Sequence, residues 1–223
     1  MTDHSITYSS FRIKDLVHRW RLSQVLKILK SFDCDRSSIC DVGCSNGYIT
    51  KIVNDTLKPE LMVGFDYTDA IDFAKKKYSG IEFEHLNLNN NNSPTRTFDI
   101  VYCLETIEHV GDVNTALDNL LALSRSNGKL LISVPVEIGF WGVVKFLLKT
   151  FIYRYPWELD VSRLRYFISL VVGDRVDVYR SQQPHFSSHF GFDYRIIDDH
   201  LDNTNVNYNG YRSWTTKFYI IDG

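Results

Sequence analysis

Short apolar runs alternate with segments of helical periodicity over most of the chain. Five apolar runs of strand length stand at residues 38–42, 61–65, 81–85, 98–103 and 129–134. Helical patterns cover residues 15–31, where Asp15 is a predicted N-cap, and residues 112–124, before a predicted turn at 126–128. Strands that alternate with helices in this way predict βαβ units, right-handed crossovers and a parallel sheet.

The C-terminal part adds a helical pattern at 193–201 and two strand-like runs, at 206–208 and 216–221. Because no helix separates these two runs, we expect an antiparallel hairpin at the sheet edge. The predicted fold class is α/β: a Rossmann-like, seven-stranded, mostly parallel sheet with an antiparallel terminal strand and an inserted helical lid. We expect a single domain over residues 1–223, with an N-terminal helical segment (1–37), a βαβ core (38–136), an insertion (137–173) and a C-terminal helix and hairpin (174–223).

Composition and charge narrow the class of protein. The 223 residues are 44% hydrophobic and 23% charged, with 25 Lys+Arg against 27 Asp+Glu and a net charge of −2. These values are typical of a globular protein and argue against a broadly basic nucleic-acid binder. The four cysteines lack CxxC or zinc-site spacing, and residues 1–15 lack the apolar region of a signal peptide. We therefore expect reduced thiols and a cytoplasmic location.

The first predicted strand runs into Asp41-Val42-Gly43-Cys44-Ser45-Asn46-Gly47, and a helical pattern begins near Tyr48. Glycines at 43 and 47 permit a sharp turn and a close approach of the backbone to a ligand. The N-terminus of the following helix offers free N–H groups and the positive end of its dipole. A dinucleotide fold would require a small residue at 48, so Tyr48 weakens that alternative.

Polar groups also follow the next two predicted strands. Asp66 ends the second strand, where its carboxylate can accept hydrogen bonds from a ribose diol. Asn87 and Leu88 follow the third strand, where an amide side chain and a backbone N–H can contact an adenine edge. In open α/β sheets, ligands bind beyond the carboxyl ends of adjacent parallel strands, which is where all these groups are expected to lie.

Four motifs in order, D-V-G-C-S-N-G, G-F-D, F-D-I-V-Y-C-L-E-T-I-E-H-V and N-G-K-L-L-I-S-V-P, resemble those of class I S-adenosylmethionine-dependent methyltransferases over residues 38–135. The resemblance implies S-adenosylmethionine as cofactor and S-adenosylhomocysteine as product. It implies that Asp41, Gly43 and Gly47 hold the methionine portion and that Asp66 binds the ribose. The cofactor site predicted on this basis also takes in Cys44, Ser45, Asn46, Tyr67, Asn87, Leu88, Leu104 and Glu105. Three positions depart from the family pattern: Ser45 replaces a glycine, Asn87 replaces the usual aspartate, and Asn127 replaces the usual proline before Gly128.

The string E-x-x-E-H after the fourth strand supplies the candidate catalytic residues. On a helical turn Glu105, Glu108 and His109 would share one face. His109 is predicted to be the general base, with Glu108 beside it, because imidazole titrates near neutral pH. A similar string in plant-type small-RNA 2′-O-methyltransferases belongs to a divalent-metal site. That alternative would require a distant partner such as His185 or His189, and we predict no metal here.

Residues 140–167 contain nine aromatic and five basic residues, which form the least generic part of the sequence. A lid over the cavity is one interpretation, and peripheral membrane contact through residues 138–155 is the other. Either favours a small, lipid-like or aromatic acceptor that is methylated on O or N. Nucleic acid is not an expected partner. Two rivals stay open: metal-assisted RNA 2′-O-methylation, and a cofactor-binding module without turnover.

Overall fold

The computed structural model describes residues 13–90, 96–140, 142–144, 147, 161–182 and 191–223. In chain order the elements are α1 (Ile13–Ser31), β1 (Ser38–Val42), α2 (Tyr48–Leu57), β2 (Leu61–Asp66), α3 (Ala70–Lys77), β3 (Glu82–His85), β4 (Phe98–Leu104), a 3-10 turn (Ile107–His109), α4 (Val113–Leu123), β5 (Ser124–Pro135), α5 (Val161–Val172), a second 3-10 helix (Asp177–Gln182), α6 (Arg195–Thr204), β6 (Tyr208–Ser213) and β7 (Thr216–Asp222).

The seven strands form one sheet in the order β3-β2-β1-β4-β5-β7-β6. Strands β1 to β5 pair in parallel, whereas β7 pairs antiparallel with both β5 and β6. The predicted Rossmann-like α/β fold, with its seven-stranded, mostly parallel sheet and terminal hairpin, is therefore confirmed. The order reverses between β1 and β4, so the loops that follow β1, β2 and β4 gather at one edge of the sheet, where such folds bind ligands.

Alternate residues of each strand face opposite helical layers. Cys40 and Val42 of β1 pack in a core with α4 and α6, whereas Ile39 of the same strand packs in a second core with α1, α2 and α3. Strands buried on both faces read as continuous apolar runs, which is why the sequence pattern locates β1, β2 and β4 so closely. This layering holds the strand ends rigidly beneath the loops that carry the polar groups.

Three predicted boundaries were wrong. Helix α1 begins at Ile13, so Asp15 lies within its first turn instead of capping it. The predicted turn at 126–128 lies inside β5, which begins at Ser124 and shifts register between Phe98 and Ile100 of β4. Strand β6 begins at Tyr208, the last residue of the predicted run at 206–208, and continues to Ser213. As an edge strand with mostly exposed residues, β6 carries little of the apolar alternation by which strands are recognised.

The insertion after β5 contributes helix α5 and a small third cluster. Tyr166 and Leu170 of α5 pack with Val136, Ile138 and Val176. Residues 139–140, 142–144 and 147 are also helical, whereas residues 141, 145–146 and 148–160 of the predicted lid and membrane segment lie outside the described residues. Within the described part of the chain, no helix combines the length and apolar character needed to cross a bilayer.

Candidate active site

A cavity of about 820 Å³ opens beyond the carboxyl ends of β1, β2 and β4. Its walls contain most of the sequence-predicted cofactor residues, together with His109. Those cofactor residues are Asp41, Gly43, Cys44, Ser45, Asn46, Asp66, Tyr67, Asn87, Leu88, Leu104 and Glu105. Gly47 and Glu108 are not among the lining residues. The structure therefore brings residues from the ends of four strands, β1 to β4, and the loops after them into one cavity.

The loop after β1 turns sharply under the cavity, through backbone conformations that favour glycine. Gly43 has φ 85° and Gly47 has φ 73°, and Ser45 between them is also left-handed at φ 49°. A Cβ at Gly43 would stand 2.1 Å from Thr106 Oγ1, and one at Gly47 would stand 2.8 Å from the Phe83 ring. Gly47 thus acts from behind the cavity, by allowing α2 to begin close to β3. At Gly43 a side chain is excluded because Thr106 packs directly against the loop at that point.

Asp41 lies at the base of this loop and is only 3% exposed. The Thr50 hydroxyl of α2 donates to Asp41 Oδ2 at 2.7 Å. Burial raises the pKa of Asp41 from 3.8 to about 7, although the hydrogen bond from Thr50 opposes the shift. The carboxyl group is therefore poised to ionise when a cationic group approaches it.

Asp66 ties the second strand to the glycine loop. Its Oδ2 accepts the Ser45 N–H at 2.7 Å, and its Oδ1 accepts the Thr68 N–H at 2.8 Å and the Thr68 hydroxyl at 2.6 Å. Because each carboxylate oxygen has two lone pairs, Oδ2 keeps capacity for a further donor. The carboxylate is thus held in one orientation at the cavity wall, as a diol-binding group requires.

The third strand contributes a polar segment on the same side. Asn87 Oδ1 accepts the N–H of Asn89 at 2.9 Å, which orients the Asn87 side chain, while Leu88 is buried. Asn89 had not been predicted, yet it lines the cavity, and its side chain bonds to Gly111 N at 2.8 Å and to Asp112 O at 2.7 Å. Asn89 thereby joins the loop after β3 to the loop after β4.

The predicted common face for Glu105, Glu108 and His109 was wrong. Glu105 has a left-handed backbone (φ 49°) and precedes the 3-10 turn Ile107–His109, in which successive side chains point about 120° apart. Glu105 and His109 therefore line the cavity, whereas Glu108 is fully buried away from it. Burial raises the pKa of Glu108 well above its usual range, and the charge of Glu105 adds to the shift.

Helix α1 closes one side of the cavity, which the sequence had not indicated. His18, Arg21, Leu22 and Val25 line the wall. Arg21 forms an ion pair with Glu105 at 2.5 Å, and its other terminal nitrogen lies 2.8 Å from His18 Nδ1.

The same helix is held a second time, at the hairpin. The Trp20 ring lies 5.8 Å from the Trp214 ring of the β6–β7 turn, centroid to centroid. The basic residues of the 15–31 pattern were visible in the sequence, but nothing local showed that they would face the strand ends.

The metal alternative finds no ligand set among the described residues. In that part of the chain, no group of three or more His, Cys, Asp or Glu side chains is arranged to hold an ion. His185 and His189, the distant partners that the alternative would need, lie outside the described residues.

The methyltransferase domain family model matches residues 12–163, more than half of the chain. The fold and the cavity are those of class I S-adenosylmethionine-dependent methyltransferases. The chain belongs to this methyltransferase domain family, whose cofactor is S-adenosylmethionine.

Curated relatives and solved structures agree with this assignment. A probable S-adenosylmethionine-dependent methyltransferase of Mycobacterium tuberculosis is 25% identical over 56% of this chain and 46% of its own length. A mitochondrial ubiquinone biosynthesis O-methyltransferase of Schizosaccharomyces pombe is 28% identical over 55% of this chain and 47% of its own. The chain thus spans less than half of either relative. The magnesium protoporphyrin IX methyltransferase of Synechocystis PCC 6803, solved with bound SAH, shares the fold with a TM-score of 0.60 at 13% identity, over 98% of this chain and 92% of that one.

Proposed function

We propose that the protein transfers the methyl group of S-adenosylmethionine to an oxygen or nitrogen atom of a small, lipid-like or aromatic acceptor. The observation that carries the proposal is the single cavity that holds both the cofactor residues of the glycine loop and the His109 imidazole. S-Adenosylmethionine supplies a methyl group on a sulfonium, and S-adenosylhomocysteine is its neutral thioether product. Catalysis then depends mainly on positioning and on exclusion of water.

The roles proposed for the residues follow from their places in the cavity. Asp66 binds the ribose hydroxyls through its oriented carboxylate, and Tyr67 lies beside it at the rim. Asn87 and Leu88 contact the adenine. Asp41 and the glycine loop hold the methionine portion of the cofactor. Cys44, Ser45 and Asn46 belong to this loop and line the cavity. Leu104 and Glu105 border the methionine portion from the end of β4. Gly47 shapes this loop from behind.

His109 is proposed to be the residue that takes the proton from the acceptor. Its imidazole lines the cavity wall formed by residues 104–106 and 109–111, beside the cofactor loops, and an imidazole is suited to general-base catalysis. Glu108, which does not reach the cavity, is proposed to act only through the turn that carries His109. The proton that the acceptor loses on methylation then passes to the imidazole.

A lipid-like acceptor is supported by the outward face of α5. Leu164, Ile168, Val171 and Val172 are 50–70% exposed and fall within one arc of the helix, opposite the buried Tyr166 and Leu170. Residues 138–173 contain five basic and two acidic residues, although the whole chain has a net charge of −2. An apolar face in a basic segment fits an anionic membrane surface, so we propose peripheral membrane contact through residues 138–155 and α5. The cytoplasmic location stays a prediction.

The membrane contact is tested by co-sedimentation with vesicles of phosphatidylglycerol and phosphatidylcholine. Wild type should sediment with the anionic vesicles and not with pure phosphatidylcholine, and I168S with V172S should reduce the bound fraction at least fivefold. V178S, which changes another exposed apolar residue outside α5, is the matched control. Equal sedimentation of the wild type and the double variant would contradict a role for this face.

The activity is tested by incubating the protein with methyl-labelled S-adenosylmethionine and fractionated cell extract. Mass analysis of the labelled fraction should find a compound that is heavier by one CH₂ and that partitions into organic solvent. Calorimetric binding of S-adenosylhomocysteine without any transfer would favour the cofactor-binding module. Loss of transfer in a metal chelator, together with labelled RNA, would favour the metal-assisted alternative.

A further inference from the structure

Arg180 is a buried cation outside the cavity, and it reaches the turn that carries His109. It lies in the second 3-10 helix, Asp177–Gln182, and is 9% exposed. Its Nη2 donates to the carbonyl oxygen of Glu108 at 2.9 Å and to that of Val110 at 2.7 Å. These two carbonyls belong to the residues on either side of His109. One guanidinium nitrogen therefore binds the backbone carbonyl groups immediately before and after the proposed base.

The turn Ile107–His109 is too short to be stable without hydrogen bonds from other parts of the chain. It is a three-residue 3-10 helix, in which the His109 N–H donates to Thr106 O at 2.9 Å and the Val110 N–H donates to Ile107 O at 3.3 Å. Hydrogen bonds in 3-10 helices have poor geometry, and so short a turn cannot hold its own shape firmly. Hydrogen bonds from a charged donor are about twice as strong as neutral ones, so Arg180 is suited to fix it.

A second side chain restrains the chain just beyond the turn. Asn89, from the loop after β3, bonds to Gly111 N and to Asp112 O. Residues 108–112 are therefore held by Arg180 at their start and by Asn89 at their end. Asn89 also lines the cavity, whereas Arg180 does not, which makes Arg180 the cleaner probe of positioning.

The surroundings of Arg180 keep its guanidinium in place. Its Cζ lies 5.5 Å from the centre of the fully buried Phe192 ring. Gly191 has φ 71°, and a Cβ there would stand 2.7 Å from the Arg180 backbone nitrogen. Burial lowers the pKa of Arg180, although nearby Glu108 opposes the shift. Because an arginine stays charged even when it is buried, this desolvation cost is met by the carbonyls that it binds.

We propose that Arg180 is a positioning residue for His109: it fixes the peptide groups of the turn and thereby aims the imidazole into the cavity. The proposal rests on the proposed function, in which His109 accepts the proton of the acceptor. It also links the region after α5 to the reacting site, because Arg180 follows that helix in the chain.

The test compares R180M and R180K with the matched control R175M. Arg175 lies five residues away and pairs with Asp177 and Asp199, so R175M removes ion pairs from the same region without touching the His109 turn. With R180M we expect a changed ¹⁵N signature of the His109 ring, assigned with H109N. We also expect amide exchange at His109 and Val110 to become at least tenfold faster. R175M should leave both readouts as in wild type, and R180K should fall between wild type and R180M.

Kinetics and binding complete the experiment. With the extract fraction that wild type labels, R180M should lower kcat at least tenfold, while KM for S-adenosylmethionine and Kd for S-adenosylhomocysteine stay within threefold. Millimolar guanidinium should restore part of the activity of R180A. If R180M does not fold, R180K is measured by the same readouts.

Two outcomes separate the proposals. Equal changes at His109 in R175M and R180M, or an unchanged His109 signature in R180M and R180K, would overturn the positioning role. If wild type transfers no methyl group to any fraction, the proposed function fails, while the NMR and exchange measurements still decide whether Arg180 positions the turn.

Discussion

Replacement of Asp66 by alanine should weaken cofactor binding more than the loss of any other single acid on the cavity wall. The carboxylate sits at the end of β2, is 8% exposed, and accepts two backbone N–H groups and the Thr68 hydroxyl. D66A removes the proposed acceptor for the ribose diol. It also releases the Ser45 N–H that keeps the glycine loop against β2.

The magnitude follows from the hydrogen bonds that are lost. A hydrogen bond to a charged group contributes about 1.5–3 kcal/mol. Loss of one such bond to the ribose raises the Kd roughly 10- to 150-fold. Release of the Ser45 and Thr68 donors should in addition lower the thermal stability, since those bonds exist without the cofactor.

Calorimetric titration with S-adenosylhomocysteine measures the binding part, and T68V separates it from loop order. T68V removes the hydroxyl that donates to Asp66 Oδ1 but keeps the carboxylate and both backbone donors. We expect T68V to bind within threefold of wild type. D55N, which removes an exposed acid paired with Lys51 on α2, is the control for a lost charge. A Kd for D66A within twofold of wild type, or equal weakening by T68V, would refute direct ribose binding.

Three further outcomes are expected. The folded pKa of Asp41 (about 7) lies above its unfolded value of 3.8, so the free energy of unfolding of wild type should fall by about 4 kcal/mol as pH rises between these values. Urea unfolding from pH 4 to 8 should show that D41N lacks this fall, and parallel pH dependences of wild type and D41N would contradict it. G43A should lower Tm by roughly 4 °C or more in a thermal melt, because a left-handed backbone costs about 1–2 kcal/mol and the new Cβ would lie 2.8 Å from Thr106 Cβ; an unchanged Tm would count against the strain. Because the pKa of Glu108 is raised, its ionisation destabilises the fold as pH rises above the unfolded value of 4.5. In the same urea series, the free energy of unfolding of E108Q should therefore increase relative to that of wild type as pH rises, and a difference that is constant with pH would contradict this.

The sheet was predictable because its strands are buried on both faces. β1 occupies residues 38–42, as its apolar run predicts, and Asp112 caps α4 by accepting the N–H groups of Asn114 and Thr115. Local signals fail where tertiary contacts decide. Ser126 to Gly128 look like a turn, yet they lie within β5 at the irregularity between two pairings with β4, Ser124 with Phe98 and Lys129 with Ile100. The edge strand β6 is likewise set by its pairing with β7, because its mostly exposed residues lack the apolar alternation of a strand.

The site was predictable where chemistry and strand ends coincide. Asp41, Gly43 and Asp66 lie at or directly after the carboxyl ends of buried strands, so the topology alone brings them together. Glu108 could not be placed in this way, because the left-handed Glu105 and the 3-10 turn replaced the expected helical turn.

Some cavity residues were not predicted, and the domain division is still untested. Arg21 and Asn89 escaped notice because they reach the cavity from elements distant in sequence. The division into one domain with an insertion over 137–173 stays a prediction.

The double attachment of α1 has a consequence for turnover. Arg21 binds Glu105 at the cavity wall, and Trp20 packs on Trp214 at the hairpin, so the helix is fastened at two places that belong to different strands. For the cavity to open along this wall, both contacts must break. Salt weakens the ion pair, whose side chains are 18% and 22% exposed, but leaves the indole contact intact, so opening should become faster with ionic strength to the extent that the ion pair limits it.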